Sequence, residues 1–286
     1  MATIVTSKDR KVEFGQGLPT VIIGERINPT GKKRLSEDFS QGKFDVLARE
    51  ALSQKEAGAD ILDVNVAASG VDEITVLPRA VLKVLEISGL PVCIDSSNAE
   101  ALKKALEVYP YKALVNSVTG QEKSLNTVLP LVKKFGASVV GLAMDDSGIP
   151  RTAERRFDAA KRIMKAAASY GIPKEDVVID CLCLAQAAET DSAVVTLEAL
   201  ARISRELGVA TVLGVSNISF GMPRRKIINL SFLAQAISQG LNAAIIDPTI
   251  KGVVETILAS DFLAGRDSHG KRYLKHYGEK EKAKKD

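Results

Sequence analysis

One pattern recurs eight times along this chain and limits what it can fold into. A short run rich in Val, Ile and Leu is followed by a polar cluster, then by a segment with apolar residues at three- and four-residue steps. The apolar runs lie at residues 21–24, 61–66, 91–94, 113–115, 138–143, 177–179, 209–215 and 243–246. The helical segments lie at 44–57, 73–87, 99–107, 122–135, 153–170, 192–207, 225–239 and 253–263. Gly58, Gly89, Gly136, Gly171, Gly208 and Gly240 fall between a helical stretch and the next run, where a helix-stopping glycine belongs. Continuous apolar strands joined by helices must be parallel and covered on both faces. Eight such units in 286 residues predict a (β/α)8 TIM barrel, with an open doubly wound sheet as the alternative.

The flanks carry less information. Residues 1–20 form a lead-in whose 13–17 stretch is placed under the barrel floor. Residues 266–286 form a charged C-terminal extension, read as a solvated or frayed end of one domain spanning 1–286. That extension holds eight Lys/Arg against four Asp/Glu, which accounts for the whole net charge of +4. The remainder is balanced, so a basic groove for nucleic acid is not indicated. Three cysteines, no N-terminal signal pattern and no apolar run near 18 residues point to a reduced cytoplasmic location, with no disulfide framework and no membrane span. Cys181 and Cys183 are one residue apart and Cys93 lies on the third strand. No metal site is expected from them; the thiols read as small buried hydrophobes.

In a barrel the carboxyl ends of the strands share one mouth, where active sites of this architecture sit. Here those ends carry Glu25, Arg26 and Asn28; Asp63 and Asn65; Asp95, Ser96, Ser97 and Asn98; Asn116 and Ser117; Asp145 and Asp146; Asp180; Ser216, Asn217 and Ser219; and Asp247. Gly214 and Gly221 bracket the seventh end and allow a flat ligand or a sharp turn near the backbone. There are almost no cations besides Arg26 and Arg225, and no glycine-rich run opens a helix, so a sugar phosphate is disfavoured. A neutral heterocycle rich in N–H donors fits a mouth of carboxylates and amides. Structural readings stand beside this one. Asp95 and Ser97 can cap the helix near Ala99, Asp63 and Glu25 can bond Arg26 across the mouth, and Asp145, Asp146 and Asp247 read as rim residues.

Six segments in order, Ile22-Ile-Gly-Glu-Arg-Ile-Asn28, Asp63-Val-Asn65, Cys93-Ile-Asp-Ser-Ser-Asn98, Val115-Asn-Ser117, Val178-Ile-Asp180 and Gly214-Val-Ser-Asn-Ile-Ser219, resemble the strand-end motifs of the pterin-binding barrel family. Within it the likeness is to methyltetrahydrofolate:corrinoid protein methyltransferases and the folate module of cobalamin-dependent methionine synthase. The resemblance implies that Asp95, Asn116 and Asp180 hold the pterin ring and that Asn217 lies beside N5. It further implies that Gly214 and Ser216 contact the ring and that Arg225 lies near the folate. Glu25, Asn28, Asp63, Asn65 and Ser219 are possible additional contacts. Phe220 stands where acetogenic corrinoid methyltransferases place a glutamine, so that residue's role does not carry over. The implied substrate is methyltetrahydrofolate or tetrahydrofolate. The implied partner is a corrinoid protein on a separate polypeptide supplying cobalamin, and family members are often homodimers.

The chemistry has its own requirement. A methyl on an amine nitrogen transfers only if that nitrogen gains a proton or a strong hydrogen bond as it departs. The two histidines, His269 and His276, lie beyond the eighth strand. That leaves a carboxyl, a water or an amide, and Asn217 is placed for the last role. Two other readings remain open: a dihydropteroate synthase, whose usual first-strand pattern is poorly matched here, and a non-catalytic folate-binding module.

Overall fold

The computed structural model describes residues 1–282. Eight parallel strands close into a barrel in chain order: β3 (Val21–Ile27), β4 (Ile61–Asn65), β5 (Val92–Asp95), β6 (Leu114–Thr119), β7 (Ser138–Leu142), β8 (Val177–Asp180), β9 (Ala210–Gly214) and β10 (Ala243–Ile246), the last pairing with the first. Helices α2 (Asp45–Glu56), α3 (Glu73–Ser88), α4 (Ala99–Val108), α5 (Glu122–Phe135), α6 (Ala153–Ser169), α7 (Ser192–Arg202), α8 (Arg225–Ser238) and α9 (Val253–Leu263) alternate with them. This is the expected (β/α)8 barrel. A short helix absent from the periodicity reading, α1 (Lys33–Ser40), precedes α2 and buries Leu35 and Phe39 one turn apart.

The two-residue period of each strand sorts the core into two layers. Ile22, Leu62, Val64, Ile94, Val115, Val139, Ile179 and Leu213 face outward and pack beneath the helices. Ile23, Ile61, Cys93, Leu114, Val140, Val178, Val212 and Ala243 fill the interior. One step of two residues further along, the interior turns polar on five strands, at Glu25, Asp63, Asp95, Asn116 and Asp180. It becomes glycine at Gly214 and stays apolar at Leu142 and Ile245. The mouth is the point at which the apolar plug stops.

The floor is closed by a hairpin of β1 (Ala2–Thr6) and β2 (Lys11–Gly15), which sends Val5, Val12 and Phe14 into the same interior cluster. The expectation of a floor cap at 13–17 thus holds in part, the cap being a hairpin that begins at Ala2. Lys112 pairs with Asp176 beside it, and Thr3 Oγ1 donates to the Glu175 carbonyl at 2.7 Å.

The C-terminal extension is solvated, as expected, but not frayed: it forms the mostly exposed α10 (Lys271–Lys282) and ties back to the barrel through buried Asp261. That carboxylate accepts from the Thr20 backbone N–H at 2.9 Å, from Thr20 Oγ1 at 2.7 Å and from Arg272 at 3.0 Å. A buried carboxylate demands such partners, and the extension supplies a cation. Residues 283–286 of the expected frayed end lie outside the described residues.

Candidate active site

A cavity of about 700 Å³ opens at the carboxyl ends of the strands. Asp95, Asn116, Asp180, Gly214, Ser216, Asn217 and Arg225 all line it, as do Glu25, Asn28 and Asp63. Asn65 and Ser219 do not line it; each holds a residue that does. Asn65 Nδ2 donates to Asp95 at 2.9 Å, and Ser219 Oγ accepts from Arg225 Nε at 2.9 Å.

On β4, β5, β6 and β8 the acidic groups sit deep. Asp63 accepts from Asn116 Nδ2 at 3.2 Å and lies beside the Cys93 thiol. Burial, then the neighbouring Asp95 charge, pushes Asp63 well above the ordinary carboxylate range. Burial likewise raises Asp95 and Asp180, each to about 6. Asp180 accepts backbone N–H groups from Leu182, at 2.7 Å, and from Gly214. Leu182 adopts a left-handed conformation, φ +61°, that costs a branched side chain roughly 1–2 kcal/mol. Arg156, almost fully buried, secures that turn: its Nη1 donates to the carbonyls of Cys181 at 3.1 Å and Leu182 at 2.6 Å.

On β9, β10 and β3 the groups satisfy one another. Ser216 Oγ donates to Glu25 at 2.7 Å, and Arg26 bridges Glu50 of α2 and Asp247 at the end of β10. A register shift between Gly24 and Ile27 lets both Glu25 and Arg26 reach the mouth. The Arg26 backbone N–H left over by that shift is taken by Gln54 Oε1 at 2.9 Å. Glu25 itself is raised above its ordinary range, chiefly by burial.

Gly214 and Asn217 depend on each other. After β9 the chain makes a tight helical turn over Val215–Ser219, folding Asn217 back over the strand end. A Cβ on Gly214 would stand 2.9 Å from Asn217 Nδ2, so glycine is needed there to seat that amide. The amide makes no hydrogen bond to any described residue and faces the cavity. Arg225 closes the turn: Nη2 donates to the Ser216 carbonyl at 2.9 Å and the guanidinium lies 4.5 Å from the Phe220 ring centroid.

A deep ring of carboxylates and amides with apolar walls at Leu142 and Ile245 is the lining that a flat, N–H-rich heterocycle requires. Residues 24–247 match the family described as pterin binding enzyme. The chain belongs to the pterin-binding enzyme family. This pterin-binding barrel is 30% identical over 266 residues to a methylcorrinoid:tetrahydrofolate methyltransferase of Eubacterium limosum, covering 90% of this chain and 96% of that one. It is also 30% identical over 255 residues to methionine synthase of Mycobacterium leprae, covering 85% of this chain and 21% of that protein. Among solved structures it resembles a Yersinia pestis dihydropteroate synthase with a pterin–sulfa conjugate: TM-score 0.65, 16% identity, 92% of this chain and 99% of that one. At that identity the likeness shows the fold alone.

Several expectations are corrected by the geometry. Arg26 binds Glu50 and Asp247, not Asp63 and Glu25, because the strand irregularity turns it toward α2 and β10. Asp247 is therefore part of the mouth instead of its rim, whereas Asp145 and Asp146 do pair outward with Arg155 and Arg162. The cap of α4 is Asn98, whose side chain accepts from the N–H groups of Glu100 and Ala101, because β5 keeps Asp95 within the barrel. The mouth also has more cations than Arg26 and Arg225: Lys32 and Lys226 line it, with Asn229 and Ile250 beside Lys226. Asn229 follows Arg225 at a four-residue helical step and Lys226 at a three-residue one, the one signal by which the pair could have been found. All three thiols are buried as expected. No described helix is long and apolar enough to cross a membrane.

Proposed function

We propose that this chain moves a methyl group between N5 of (methyl)tetrahydrofolate and the cobalt of a corrinoid protein. The carrying observation is in the partners: Asp63 and Asp180 are buried and Asp95 is half-buried, none with an ion-pair partner among the described residues, and the Asn217 amide lines the same cavity and bonds to none of them. Ring and amino N–H groups of a reduced pterin would complete the first set. The cobalt centre, brought by the partner, gives up or receives the methyl group. Asp95, Asn116 and Asp180 fix the ring, Leu142 and Ile245 flank it, and Asn217 strengthens a hydrogen bond to N5 as charge develops there. The site lowers one barrier and so serves both directions. The Eubacterium limosum relative, matched along nearly its whole length, supports the choice of reaction. Dihydropteroate synthase activity has only the fold likeness behind it. We place the protein in the cytoplasm on its three free thiols, and as a homodimer on the family resemblance.

An absorbance assay with the protein, methyltetrahydrofolate and reduced free cobalamin tests the reading. Enzyme-dependent formation of methylcobalamin, or of methyltetrahydrofolate from the reverse mixture, is expected. Folate binding with no transfer in either direction would make the chain a binding module instead.

A further inference from the structure

The mouth contains a buried polar group that neither the ring-holding set nor the ion-pair network uses. Asn229, 5% exposed, lines the cavity from the second turn of α8, and its Oδ1 is buried without a hydrogen-bond partner. A buried amide oxygen left unpaired costs about 1–3 kcal/mol, so a residue held this way is explained when a ligand supplies the partner. A half-turn of the amide exchanges its donor and acceptor faces, so it can answer either kind of group.

Its surroundings specify the ligand further. Lys226 lines the same cavity three residues earlier, which places both side chains on one face of the helix about 5–6 Å apart at Cβ. No side chain caps the start of α8, whose N-cap Arg224 is left-handed at φ +49°. The Ile227 N–H is taken by the Arg224 carbonyl at 3.0 Å, but the uncapped helix start and the run Arg224-Arg225-Lys226 make that end attractive to an anion. Arg224 does not line the cavity and Arg225 is already engaged by Ser219, the Ser216 carbonyl and Phe220, so the charge of this run left for a ligand in the mouth is on Lys226. Ile250 supplies an apolar patch in the same lining.

We propose that Asn229 and Lys226 form a second subsite that reads the aminobenzoyl-glutamate tail of the folate, Asn229 meeting the amide and Lys226 the carboxylate next to it. The tail's amide N–H and α-carboxylate flank a single carbon, a separation that suits two side chains one helical turn apart. This rests on the pterin reading above, and it adds that this enzyme distinguishes folates from bare pterins on the α8 side of the mouth.

Anaerobic calorimetry with tetrahydrofolate and with 6-methyltetrahydropterin, which has no tail, tests it. Wild-type protein should bind tetrahydrofolate at least about tenfold more tightly than the tailless ring, the size of one or two hydrogen bonds to a charged group. The double variant Lys226→Ala/Asn229→Leu should bring the two affinities within about twofold by weakening tetrahydrofolate alone, its retained affinity for the tailless ring reporting a folded site. Asn229→Asp keeps the side chain's size and should erase the tail's advantage by repulsion, which settles the matter if the double variant does not fold. Equal affinities in wild type, or an unchanged ratio in the variants, overturn the subsite and leave the pterin reading standing. Failure of wild type to bind either ligand overturns both.

Discussion

The two arcs of the mouth are built on opposite electrostatic plans. Across β4, β5, β6 and β8, buried Asp63 and Asp180 and half-buried Asp95 have amide, thiol and backbone donors but no ion-pair partner among the described residues. Across β9, β10 and β3 the acidic groups are met from within: Glu25 by Ser216, and Asp247 and Glu50 by Arg26. The first arc is unfinished until something with N–H groups arrives; burial raises its carboxyls, as it also raises Glu25 across the mouth. The second is finished in the free protein and acts as a frame. A site made of one self-satisfied arc and one waiting arc binds by completing the waiting one.

The sharpest way to break this contrast is Asp95→Asn, which keeps the shape of the waiting arc and removes one charge. Pterin affinity at pH 7.5 should fall about 100-fold, the scale of losing a charge-assisted pair of hydrogen bonds. The apo protein should gain stability. Asp95 titrates at about 6 when folded against an ordinary 3.8, so between those values the native state holds a proton that the unfolded chain has released. The stability this confers is fully present below about pH 4 and is lost as pH rises through about 6. At pH 7.5 the variant should therefore be more stable than wild type by on the order of 2 kcal/mol, and the gap should shrink to about half at pH 5 and close only below about pH 4. Thermal melts at the two pH values check the sign. A variant that loses both stability and affinity would mean that the carboxylate is structural.

Asn217 sits at the seam, on the turn after β9, and belongs to neither plan. Asn217→Ala should lower methyl transfer about 100-fold while ring affinity stays within about threefold, the pattern of an interaction made mainly in the transition state. Full turnover at unchanged pterin affinity, in single-turnover kinetics, would remove the amide from the chemistry.

The barrel was legible because both faces of each strand are covered, which forces continuous apolar runs, and because glycine marks most helix ends. The waiting arc was legible for a related reason. Asp63, Asp95, Asn116 and Asp180 each lie two residues beyond an interior apolar residue, so strand period alone sends them into the mouth. The self-satisfied arc was not legible. Arg26 finds Glu50 on α2 and Asp247 some 221 residues away, through a strand irregularity that no local pattern announces. The floor hairpin needs only a few inward residues and so lacks the long runs that identify a strand. Helix α10 looked like a loose end because its polar composition hides its anchor, a carboxylate at Asp261 bonded to Thr20 and Arg272.

The finished arc can be broken in its turn. Arg26→Met leaves Asp247 and Glu50 without their shared cation, and side chains only 11% and 18% exposed are poorly placed to recover water. The protein should lose roughly 2 kcal/mol of stability, seen as a melting point lower by about 4–8 °C for a chain of this size. Tailless pterin should still bind within about threefold, since the ring is held opposite. A large loss of ring affinity with an unchanged melting point would merge the two arcs into one.

The smallest expected effect probes how the waiting arc is tuned. Asn65 stands outside the cavity, yet its amide donates to Asp95 and is the leading influence opposing that group's rise. Asn65→Ala removes a donor to the charged form, so the Asp95 pKa must climb further above about 6. The pH at which pterin binding fades on acidification should move up by about half a unit to one unit, while affinity at pH 8.5, where Asp95 is ionised in both proteins, changes less than about threefold. Titration of pterin affinity from pH 5 to 8.5 reads the shift directly. A uniform loss of affinity at every pH would assign Asn65 to shaping the pocket, and an unshifted midpoint would mean that Asp63 or Asp180, not Asp95, governs the protonation that the ligand senses.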